Sequence, residues 1–167
     1  MYAKSGNLDD CSLVFRQIPQ RDVIAWNSVI SGFSQNGYGT QALDLFEEMR
    51  VEGTEPDDVT FINLLFTCSH MGLVERGWGY FRSMYNDHGL VPKVEHYACM
   101  VDILSRAGLL YEVKTFIESV PIDHGTCLWR IVLGACRKPQ YFDIGAHEGE
   151  RLMELGSRDS STYILLS

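Results

Sequence analysis

The chain has 167 residues, enough for one ordinary domain or one elongated array, and its 46% hydrophobic and 22% charged residues suit a folded protein rather than a disordered one. No apolar run approaches the roughly 20 residues that a helix needs to cross a bilayer, so no membrane association is expected. A net charge of −8 argues against any generic electrostatic attraction to nucleic acid, because phosphate binding normally rests on clustered Lys and Arg.

Taken in chain order, the first recognisable element ends in Cys11, Phe15 and Ile18 and is closed by Ile18-Pro19. The stretch V-I-A-W-N-S-V-I-S-G-F-S-Q-N-G, Val23 to Gly37, places Ile24, Trp26, Val29, Ile30 and Phe33 at near-helical spacing and stops at Asn36-Gly37. A second helix follows through Ala42, Phe46 and Met49, up to Glu55-Pro56-Asp57. The polar Asn27 beside Trp26 is out of place in a helix whose only task is packing.

The same arrangement then returns. Trp26, Phe61 and Tyr97 are each followed eleven residues later by glycine: Gly37, Gly72 and Gly108. Nine residues beyond each glycine stands a large apolar residue, Phe46, Phe81 or Ile117, and Gly6 precedes Phe15 by the same distance. Five residues after the glycines come Cys11, Ala42, Gly77 and Val113, all of modest size; twelve after them come Ile18, Met49, Met84 and Val120. The aromatic series continues through Trp129 and Tyr163, with spacings of 35, 36, 32 and 34. Each unit reads as two short helices, separated from the next by Ile18-Pro19, Glu55-Pro56-Asp57, Val91-Pro92 or Val120-Pro121. One such hairpin cannot bury its apolar face alone, so the units stack. The fold class is therefore all-α, an α-solenoid of helix-turn-helix repeats, with the small residues allowing close helix approach. Trp26, Phe61, Tyr97 and Trp129 should be largely buried.

A two-helix period of about 34 also fits tetratricopeptide repeats, whose first helix carries Trp, Leu-Gly and Tyr. Here it reads W-N-S-V-I-S-G-F-S-Q-N-G, followed by Q-A-L-D-L-F-E-E-M and G-T-E-P-D. This resembles the pentatricopeptide repeat family, and the alternating unit lengths resemble its plant-specific branch with long and short variants. On that resemblance, residues 1–22 are the back of a short repeat, 23–57 a standard repeat, 58–93 a long one and 94–125 another short one. Residues 126–161, with C-L-W-R-I-V-L-G-A-C-R and I-G-A-H-E-G-E-R-L-M-E-L, resemble the C-terminal extension motif. Residues 162–167 resemble the opening of a second one, so the sequence reads as part of a longer protein.

The resemblance implies a role for Asn27. In this family the fifth and last residues of a repeat select one base of single-stranded RNA, and here these are Asn27 and Asp57, a combination that favours uracil. An Asn amide offers both a donor and an acceptor to a Watson–Crick edge. Ile24 and Val59, second residues of successive repeats, would sandwich the base. Asp22 closes the first repeat without a matching fifth residue. Ile62 with Lys93, and Ala98 with Gly125, do not form base-reading pairs. The acidic residues Asp44, Glu47, Glu48 and Glu52 lie on a second helix, away from the concave surface that first helices line.

No catalytic constellation is present, and an enzyme is not expected. There is no G-x-x-x-x-G-K-[ST] loop and no deaminase H-x-E with C-x-x-C signature. None of the five cysteines forms a C-x-x-C pair; they read as buried reduced thiols, and His96-x-x-Cys99 is too sparse for zinc. Neither metal nor cofactor is expected. The resemblance points to an RNA-binding module of an organellar editing or processing factor, in mitochondrion or plastid, with editing-complex proteins as partners of the extension motif. The alternative is a protein-binding helical scaffold. The discriminating feature is whether Asn27 and Asp57 line one groove.

Overall fold

A computed structural model describes residues 3–120. These form seven helices with no strand among the described residues: α1 (Ala3–Arg16), α2 (Val23–Gln35), α3 (Gly39–Val51), α4 (Asp58–Met71), α5 (Val74–Asn86), α6 (Val94–Arg106) and α7 (Leu110–Ser119). After α1 they pair as α2/α3, α4/α5 and α6/α7. Within each pair the turn passes through a glycine in the left-handed region, Gly37 at φ 85°, Gly72 at 68° and Gly108 at 75°, a conformation that other residues adopt only under strain.

The first helices α2, α4 and α6 pack directly on one another, whereas the backbones of α3, α5 and α7 stand apart. Aromatic rings bridge the outer gaps: Phe46 meets Tyr80 at 5.7 Å, and Trp78 meets Phe116 at 5.4 Å. A tight inner layer and a wider outer one curve the stack toward the first helices, as in an α-solenoid.

The sequence echoes have a structural cause. Phe15 packs edge-on against Trp26 at 4.8 Å, Phe46 against Phe61 at 6.4 Å, and Phe81 is tilted against Tyr97 at 5.6 Å. Each second helix thus offers an aromatic ring to the first helix of the following pair. Trp26, Phe61, Ala42, Met49 and Met84 are completely buried. The position of Gly77 is small for a reason: a Cβ there would stand 2.8 Å from Cδ1 of Ile103 on α6. It serves the junction with the next pair as well as its own hairpin.

Two expectations need correction. The echo at Gly6 predicts a helix starting beyond it, yet α1 begins at Ala3 and runs through Gly6, which costs only about 1 kcal/mol relative to Ala. Tyr97 is half-buried rather than sealed, its ring held by Phe81 and by Phe116 at 5.9 Å. Trp129, Gly125 and the extension motifs at 126–161 and 162–167 lie outside the described residues.

Candidate nucleic-acid interface

The N-terminus of α4 is fixed by its own sequence. Asp57 caps the helix, its Oδ1 accepting from the Thr60 backbone N–H at 2.9 Å, and Thr60 Oγ1 accepts from the Asp57 N–H at 3.1 Å. This reciprocal cap then reaches into the preceding pair. The Asn27 amide nitrogen donates to Asp57 Oδ1 at 2.8 Å, and the Thr60 hydroxyl donates to Asn27 Oδ1 at 2.7 Å. Asn63 adds a bond from its amide to the Asn27 backbone carbonyl at 3.2 Å. Asn27 is therefore held across the α2/α4 junction, not by a local bond in its own helix.

Burial alone would raise the Asp57 pKa. The donors around it, the Thr60 and Val59 N–H groups and the Asn27 amide, outweigh burial and hold the carboxyl below its ordinary value. An ionised carboxylate only accepts, so the amide nitrogen of Asn27 must face it. One Nδ2 hydrogen and one Oδ1 lone pair of Asn27 are left over.

Asn27, Asp57, Ile24 and Val59 line one open groove of about 340 Å³, together with Ser28, Ser31 and Asn63. The polar pair forms its floor, with Asn27 only 8% exposed. Ile24 and Val59 stand out of it, two large apolar side chains 69% and 49% exposed.

The remaining residues singled out from the sequence are placed differently. Asp22 is the N-cap of α2, accepting from the Ala25 N–H at 2.8 Å, and is exposed. Ile62 and Ala98 are half-buried, and Lys93 is exposed, pairing with Asp58, whose carboxylate holds the ammonium above its ordinary pKa. His96 is fully buried, with Nδ1 accepting from the Lys93 N–H at 3.1 Å and Nε2 bonded to the Asp58 carbonyl at 3.0 Å. Both ring nitrogens are thus committed to backbone, and no group able to hold a metal ion occurs among the described residues. Cys68 is buried and Cys99 half-buried, and burial pushes both thiols up to about 11. Among the described residues no helix is long and apolar enough to cross a membrane. The acidic Asp44, Glu47 and Glu48 are exposed on α3, in the outer layer.

The sequence reading missed Thr60 and Asn63. D-D-V-T at Asp57–Thr60 does carry the spacing of a reciprocal cap, but nothing local reveals its bond to Asn27, 33 residues away.

The profile of the PPR repeat family matches residues 21–70, which contain this whole arrangement. This stretch is similar to pentatricopeptide repeats. Three pentatricopeptide repeat-containing proteins of Arabidopsis thaliana align with all of it: one at 61% identity, one named as chloroplastic at 44% and one named as mitochondrial at 43%. The chain spans only 23%, 20% and 26% of their respective lengths. The crystal structure of the pentatricopeptide repeat protein PPR10 from maize superposes with a TM-score of 0.70, covering 87% of this chain and 21% of that one. At 16% identity this likeness concerns the fold, a solenoid of stacked helix pairs.

Proposed function

We propose that the chain is a single-stranded RNA-binding module of an organellar editing or processing factor, reading one base per competent repeat. The carrying observation is the Asn27 amide, oriented by Asp57 on the floor of a groove walled by Ile24 and Val59. An unpaired base inserted between the two apolar side chains meets one donor and one acceptor. Uracil suits that pair: its N3–H donates to Oδ1 and a ring carbonyl accepts from Nδ2. The polar floor between two exposed apolar side chains, sized for one flat ring, favours this reading over a protein-binding scaffold.

In this reading residues 23–57 are the reading repeat and Asp22 closes the one before it. The long repeat 58–93 and the short repeat 94–125 contribute no base selection, since Ile62 offers no hydrogen bond and Ala98 none. Residues 126–161 contact editing-complex proteins, the site of action is mitochondrion or plastid, and any chemistry on RNA is supplied by another domain or protein.

One competent repeat contributes about 1–3 kcal/mol of stacking and hydrogen bonding. Association costs at least about 4 kcal/mol in orientational freedom. The 167-residue chain by itself should therefore bind RNA weakly. Titrating the whole protein, with every repeat it carries, against RNAs that differ at one nucleotide tests the assignment. Asn27→Ala should weaken binding only where that nucleotide is uracil; equal weakening for all four bases would overturn it.

A further inference from the structure

We infer that Thr60 is a specificity-determining positioning residue, whose hydroxyl fixes the direction of the Asn27 amide and thereby separates uracil from cytosine. The inference rests on the base-reading role of Asn27 proposed above.

A hydroxyl has one proton, and Thr60 Oγ1 lies 2.7 Å from Asn27 Oδ1 and 3.0 Å from Asp57 Oδ1. If the proton went to Asp57, two oxygen lone pairs would face each other across the shorter gap. Asp57 Oδ1 is already served by the Thr60 N–H and the Asn27 amide. The proton therefore goes to Asn27. Thr60 is completely buried, so no water competes for it.

The bond from Nδ2 to Asp57 alone leaves the amide free to pivot about that line. The second bond, from Thr60 to Oδ1, removes the pivot and sets which group of the amide meets which group of the base. The order matters because uracil presents an acceptor at O4 and a donor at N3, whereas cytosine presents a donor at N4 and an acceptor at N3. A fixed amide fits one order and opposes the other. A pivoting one accommodates both, which is how specificity is lost without loss of contact.

The rest of the chain isolates the effect. The residue equivalent to Thr60 is Ala25 at the start of α2, where Asp22 caps the helix without a reciprocal side chain. An alanine at this position is thus compatible with the fold. At α6 the equivalent is His96, which gives both ring nitrogens to backbone.

The test compares affinity for RNAs carrying uracil or cytosine at the matched nucleotide, in the whole protein, for Thr60→Val, Thr60→Ala, Thr60→Ser and Asn27→Ala. The ratio of the two affinities is insensitive to lost stability, because both are measured on one protein. Thr60→Val and Thr60→Ala should lower the uracil-to-cytosine ratio by about three- to tenfold, the worth of one neutral hydrogen bond, while Thr60→Ser retains it. An unchanged ratio in both Val and Ala variants, with the ratio abolished in Asn27→Ala, would overturn the role of Thr60 and leave that of Asn27 standing. A ratio unchanged in Asn27→Ala would remove the base-reading assignment itself.

Discussion

The junctions α2/α4 and α4/α6 solve one folding problem with different chemistry. In each, the residue before the incoming helix donates its N–H to the side chain three positions on, Asp57 to Thr60 at 3.1 Å and Lys93 to His96 at 3.1 Å. They differ in where the rest of that side chain's bonding goes. Thr60 turns its hydroxyl to the Asn27 side chain, while His96 turns Nε2 to the Asp58 backbone carbonyl. One cap therefore supports a polar pair in a groove, and the other only ties two helices together. Capping a helix and orienting an amide in a groove are separable tasks, and only the second depends on Asn27, Asp57 and Thr60 together.

The largest expected effect tests what the two junctions share. Phe61 lies completely buried at the start of the incoming helix of the first and Tyr97 half-buried at the same place in the second. Phe61→Ala should cost about 3–5 kcal/mol in chemical denaturation, and Tyr97→Ala distinctly less, because less surface returns to water. Equal losses would mean that the junctions bear equal loads.

Next in size is His96→Ala, which strips two part-buried backbone groups of their partner. A loss of about 1–3 kcal/mol is expected in the same denaturation experiment, with no change in the uracil-to-cytosine affinity ratio. A change in that ratio would erase the division between a capping and a reading junction.

Acid should open the first junction selectively. The folded Asp57 carboxyl titrates below its ordinary value, so its contribution to stability is fully present above that value and is lost as pH falls through the lower, folded one. Amide hydrogen exchange at the start of α4, taken relative to its intrinsic rate at each pH, should therefore accelerate below the ordinary carboxylate range. In Asp57→Asn that acceleration should disappear. Persistence of the same acid step in Asp57→Asn would assign it to other carboxylates.

The smallest effect concerns thiols near the second junction. With Cys68 and Cys99 pushed up to about 11, almost no thiolate exists near neutrality. Alkylation of both in the folded chain should be much slower than of a free thiol, as mass spectrometry of labelled peptides would record.

Much of this was legible because packing repeats. The recurrence of Phe15, Phe46 and Phe81 against Trp26, Phe61 and Tyr97 reports one contact made three times, so spacing alone exposes it. Glycine turns are legible for the same reason, although Gly6 misled, since glycine permits a left-handed turn without requiring one. The pairing of Asn27 with Asp57 came from the family's pattern, and the groove unites them with Ile24 and Val59. Thr60 stayed hidden. A threonine at the third position of a helix reads as a local cap, and only the stacking of one pair on another brings its hydroxyl to Asn27.

The central claim is that a base enters between Ile24 and Val59 and meets Asn27, and that nothing equivalent happens at Ile62. Side-chain NMR of the chain titrated with a short oligouridylate tests this directly, even at weak affinity. The account predicts that the Asn27 amide protons and the Ile24 and Val59 methyls shift together along one binding curve, while the Ile62 methyls do not move. Shifts at Ile62 equal to those at Ile24, or a silent Asn27 amide, would contradict it.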